Sequence, residues 1–140
     1  MTDQECFYQT AKQIDFVEFF LCFKLYDLCN DKLIAGTTRS NFIGWLNLRI
    51  PDPPIKLLPR EKTRFSYFIK VIADHLVIKQ YKNDWIDAML KSCDVPRSHY
   101  EKHNFEVTCN KQVEKNKELI DGLEAAFIEA ADFYKTQVKY

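Results

Sequence analysis

The chain has 140 residues, 46% hydrophobic and 14% aromatic, with three glycines, five prolines and a formal net charge of zero. That length suits one domain over residues 1–140, able to bury about two thirds of its unfolded surface. So few glycines leave little for hairpin turns or phosphate-cradling loops, and an all-α fold of about five or six helices is expected, with a long N-terminal hub helix and a long C-terminal amphipathic helix.

Charge is unevenly spread. Residues 1–35 hold three basic and six acidic residues, 36–82 nine and three, and 83–140 eight and eleven, so the segments carry −3, +6 and −3. A basic middle between acidic ends reads either as an anion-binding face or as segments that attract one another. The start, MTDQECFYQTAKQ, is acidic where a secretory signal is basic, and charges interrupt every apolar run short of the roughly 18 residues needed to span a bilayer. Neither export nor membrane insertion is expected, and the location is read as cytoplasmic. Cys6, Cys22, Cys29, Cys93 and Cys109 contain no Cys-x-x-Cys pair, which suits reduced thiols.

The hub is predicted from about Thr2 or Asp3 to Leu33, ended by Gly36. Phe7, Ala11, Ile14, Val17, Leu21, Leu25 and Leu28 form one aliphatic stripe at steps of three and four. Roughly opposite lie Phe16, Phe19, Phe20, Phe23 and Tyr26, too much aromatic surface to leave in water, so this face is expected to be largely buried. Cys22 and Cys29, about 10 Å apart along the axis, read as packing residues. Glu18 interrupts the aliphatic stripe and needs either water or a donor such as Arg39.

Thr37, Thr38 and Ser40 are cap residues for a short helix over Asn41 to Leu48, with Phe42, Trp45 and Leu46 inward. Residues 51–54, PDPP, form an extended loop. Pro59 suits the first turn of a middle helix running to about Ile78, with Phe65, Phe68, Ile69, Ile72 and Leu76 as its apolar stripe. The other side presents Arg60, Thr63, Arg64, Tyr67 and Lys70, a pattern suited to a nucleic-acid backbone and equally to an ordinary solvated face.

Asp84 is expected to cap a helix containing Trp85, Ile86, Met89 and Leu90. Asp94, Val95 and Pro96 then make a corner into a second short helix. The segment CDVPRSHYEKH resembles the turn and second helix of helix-turn-helix regulators, the likeness covering residues 86–105. It implies Val95 and Tyr100 as the buried pair, with Pro96, Arg97, Ser98, Glu101 and Lys102 outward, able to reach bases or phosphates. It departs from that pattern at Asp94, where glycine is usual, at Leu90, where a small residue is usual, and at His103, where an apolar residue is usual. Cys93, His99, His103 and Cys109 share this region, but their spacing is poor for a zinc site, and no metal or cofactor is expected.

From Asn110 to Val138 a long amphipathic helix carries Val113, Ile120, Leu123, Phe127, Ala130, Tyr134 and Val138 on one stripe. Gly122 weakens it by about 1 kcal/mol. This helix is expected to cover the aliphatic face of the hub, and the middle helix the aromatic one. No phosphate loop, nucleophile elbow or dinucleotide fingerprint is present, which argues against an enzyme. Two readings remain. One is a small DNA-associated regulator contacting phosphates through Arg60, Arg64 and Lys70 and bases through Arg97, Ser98 and Lys102. The other is a non-enzymatic helical interaction module, pairing with a second copy or another helical protein through a long helix.

Overall fold

The computed structural model describes residues 15–138, with side chains to residue 136. The described residues are mostly helical and form no strand, so the fold is all-α. In chain order the helices are α1 (Phe19–Cys29), α2 (Arg39–Leu46), α3 (Lys62–Ala73), α4 (Lys82–Ser92), α5 (Arg97–His103), the single turn α6 (Glu106–Cys109) and α7 (Glu114–Val138).

The hub is shorter than its periodicity predicts. Its expected start at Thr2 or Asp3, with Phe7, Ala11 and Ile14, lies outside the described residues, but a continuous helix to Leu33 is broken at both ends of α1. At the front, the amides of Phe16 and Val17 each donate to Asn47 Oδ1 at 2.8 Å, and the Phe16 carbonyl accepts from Val77 at 2.9 Å. Side chain and loop thus take the backbone groups that a helix would have used. Behind Cys29, Asp31 turns the chain at φ 61°. Leu33 and Ile34 are then both buried, in a turn where the amides of Lys32, Leu33 and Ile34 all donate to the Cys29 carbonyl. Ala35 and Leu58 donate to Lys56 and Leu33 at 2.8 and 3.0 Å, tying this segment to the loop before α3.

Thr38 caps α2 by accepting from the Asn41 amide at 3.1 Å, and Phe42, Trp45 and Leu46 are buried, as their spacing predicts. The predicted stripes of α3 and α4 are buried in full. Both tryptophans sit in the core with their N–H groups satisfied: Trp45 donates to Ser92 Oγ and Trp85 to the Leu46 carbonyl, each at 2.9 Å. Helix α3 begins at Lys62, three residues later than Pro59 suggests, because Arg60 takes a left-handed φ of 66°. It ends at Ala73, short of Ile78, and Leu76 reaches the core from the following loop.

The partners of α1 differ from expectation. The long α7 lies along one flank in antiparallel sense, pairing Phe20 with Phe133, Lys24 with Glu129 and Leu28 with Gly122. The short α2, rather than α3, packs on another flank, where Tyr26 meets Phe42 edge-on at 5.7 Å. The buried stripe of α7 is Leu119, Leu123, Ala126 and Ala130, about one residue round from the predicted line. Val113 precedes the helix and is exposed. Helix α3 also receives α5, α4 and α6, so one core runs through the described residues.

Candidate functional site

The expected cations separate into two kinds. Arg64 is engaged inside the molecule: its guanidinium clamps both oxygens of Glu61, with Nη2 to Oε1 at 2.6 Å, and donates to Asn116 Oδ1 at 3.1 Å. Asn116 in turn donates to the Asn110 carbonyl at 3.1 Å, so this network joins the start of α3 to the start of α7. Glu61 is only 3% exposed, and Lys115 approaches its Oε1 at 3.9 Å. Moving Arg64 away to meet an outside phosphate would strand a buried carboxylate, at a cost of several kcal/mol.

Arg97 is likewise engaged, donating to Asp87 at 2.8 Å and to Glu101 at 3.2 Å. Its guanidinium has two carboxylates for company and lies over the Tyr100 ring, 5.2 Å from the centroid. Arg60, Lys70, Ser98 and Lys102 are exposed, and none of these three cations is in an ion pair among the described residues. Val95 and Tyr100 are the buried pair, and the corner places Asp94 at φ 55°, the left-handed conformation that glycine usually supplies. The four candidate zinc ligands do not converge. His103 faces Glu106, and among the described residues no group of three or more His, Cys, Asp or Glu is arranged to hold a metal ion.

The aromatic flank of α1 departs most from expectation. Phe16 is buried before the helix begins, whereas Phe19 is 62% and Phe23 39% exposed. At 100° per residue these two share the outward side of α1, and Phe20 lies on the adjoining flank. Phe20 stacks face to face on Phe133, with centroids 4.2 Å apart, and Phe133 itself remains 37% exposed. Lys24 covers the Phe20 ring at 5.6 Å while pairing with Glu129 at 2.9 Å. Arg39 lies over both Phe23 and Tyr26, 4.0 and 4.4 Å from their centroids, and pairs with Asp27 at 3.0 Å. The result is an aromatic edge framed by two ion pairs, with its largest exposure at Phe19. Sequence periodicity finds these residues but cannot tell which are covered, because covering depends on where α7 and α2 cross.

At the base of this edge stands Glu18. Its Oε1 is cut off from water and has no hydrogen-bond partner. Burial raises the carboxyl above its usual range, opposed by a hydrogen bond from Tyr134 of α7. Arg39, one of the donors the sequence offers for it, pairs with Asp27 instead.

No protein-family model, curated protein or solved structure matches the chain. Among the described residues no helix is long and apolar enough to cross a membrane.

Proposed function

We propose that this chain is a non-enzymatic helical interaction module that pairs with a second copy through the aromatic edge of α1 and α7. The observation that supports it most is the shared exposure of Phe19, Phe23 and Phe133 on one edge. Phenylalanine buries about 150 to 250 Å² when fully covered, so these three leave about 200 to 350 Å² of ring surface in water. That is roughly a third of what one partner contributes to a standard interface, enough for its apolar centre. The Lys24–Glu129 and Arg39–Asp27 pairs then form a polar rim. Apolar patches of this kind are self-complementary in polarity, which favours a twofold contact between identical surfaces.

The DNA-associated reading draws less support, since it needs Arg64 and Arg97 as free cations and both are held by carboxylates. Sedimentation velocity across a concentration series tests the module. The expected result is a dimer with a dissociation constant in the micromolar range, corresponding to about 8 kcal/mol. A variant carrying Phe19→Ser and Phe23→Ser is expected to remain monomeric with an unchanged helical spectrum. A wild-type chain that stays monomeric up to about 1 mM, where association is worth only about 4 kcal/mol, overturns the reading.

A further inference from the structure

Away from the aromatic edge, the 55–60 loop and the first turn of α3 enclose, with the α4–α5 corner, an open cavity of 610 Å³. Lys56, Arg60 and Lys62 stand on its wall, all three exposed and none in an ion pair among the described residues. One carboxylate, Asp94, faces them across the cavity. The local excess of two positive charges is notable in a chain whose net charge is zero.

The way α3 begins adds donors to the same wall. Glu61 occupies the N-cap position but makes no capping bond, because its carboxylate is turned to Arg64. The amides of Lys62 and Thr63 therefore have no acceptor among the described residues, and both residues line the cavity. From α5, His99 closes the opposite side; its ring nitrogen Nε2 is screened from solvent and has no hydrogen-bond partner among the described residues. Burial, followed by the neighbouring His103 and Lys62 and opposed by Glu106, holds this imidazole below its usual range. The rest of the wall is formed by the apolar Ile55, Leu57, Leu58 and Pro59 together with Ser92 and Cys93.

We propose that this cavity binds a small phosphomonoester, with the phosphate held by Arg60, Lys62 and Thr63 and the carbon portion resting on Ile55 and Leu57. A monoester dianion matches the excess of two charges, whereas a carboxylate or a diester brings only one. The volume lies within the range of small-molecule sites, about 300 to 1,000 Å³, and far exceeds what a bare phosphate fills. The part of the wall formed by Ile55, Leu57 and Leu58, which cannot bond a phosphate through its side chains, is suited to an apolar substituent.

The test uses the full chain at low salt, following backbone amides and histidine rings by nuclear magnetic resonance while adding phenyl phosphate, inorganic phosphate or a short duplex DNA. The expected result is saturable movement of the Lys62 and Thr63 amides, with phenyl phosphate binding several-fold tighter than inorganic phosphate. The His99 titration should move to higher pH as the anion arrives, by direct charge interaction. A variant carrying Arg60→Gln and Lys62→Gln, both at exposed positions, should weaken phenyl phosphate by at least about tenfold. Shifts that do not saturate, or that scatter over surface lysines and survive in the variant, overturn the site. Equal affinity for the two phosphates overturns the apolar half, and a duplex that moves the same amides at lower concentration overturns the small-molecule assignment.

Discussion

Glu18 sits in surroundings that do not suit its charge. Its carboxyl is raised in the folded chain, chiefly by burial, so the fold favours the neutral form. Below the pKa of the unfolded chain the group is neutral in both states and nothing is lost. As pH rises through the higher folded value, the native state must carry a poorly solvated charge, and stability falls relative to a chain without it. Glu18→Gln is therefore expected to raise the urea midpoint at about pH 7 and to leave it unchanged near about pH 3, where both side chains are neutral. A gain of equal size at both pH values would assign the effect to packing instead. Asn47 shows the opposite outcome for a buried polar group: it is 1% exposed, yet its oxygen accepts two amides and its nitrogen donates to the Ile43 carbonyl at 3.1 Å. In the sequence it looks like one polar residue at the end of an apolar helix. Its role depends on residues 30 positions away.

At the scale of the element, Gly122 has a different meaning from the weak point that helix propensity assigns. A methyl group there would overlap Leu28 Cδ1 and crowd Cδ2 and Cγ at 3.4 Å, so the absent side chain lets α7 cross α1 closely. Alanine normally gains about 1 kcal/mol over glycine within a helix, but overpacking costs about 1 to 3 kcal/mol. Gly122→Ala is expected to give no gain in the wild-type background. With Leu28→Ala also present, the same change should recover about 1 kcal/mol, because the overlap is gone. Denaturant unfolding of the four proteins in this cycle measures the coupling, and purely additive effects would place the close crossing elsewhere. Close approach also explains why the stripe of α7 is rotated from its predicted line. Small residues, Ala126 and Ala130, are buried, while Phe127 is half-buried and stacks on His75 at 3.8 Å.

For the molecule as a whole, thiol chemistry reports how the core closes. Cys22 and Cys29 are fully buried, Cys93 partly, and Cys109 is exposed. Burial pushes the Cys22 thiol up to about 12, and that of Cys29 further in the same direction. For Cys93 burial again dominates, and its thiol is raised to about 11. Since the thiolate is the reactive form, pulse labelling of native protein with a maleimide should modify Cys109 first among these four. Cys22 and Cys29 should react only at the rate of global opening, rising together as urea is added. Peptide mass spectrometry separates the sites. Labelling of Cys22 at the Cys109 rate would mean that α1 detaches from α2 without general unfolding.

Helical class, the short capped α2, the buried stripes of α3 and α4 and the sharp corner into α5 were legible because each depends on local order: period, cap and breaker within a few residues. The same local reading identified the aromatic residues of α1 and the basic residues around Arg60 and Arg97. It could not say which phenylalanines meet a partner or which arginines meet a carboxylate, since Phe20 is covered from residue 133 and Arg64 is supported from residue 116. The length of the hub also escaped it. A helical period shows that residues can share a face, but whether the backbone becomes helical depends on competing partners, here Asn47 for Phe16 and Val17 and the loop at Lys56 for Ala35. Those partners are distant in sequence and become neighbours only when the chain is folded.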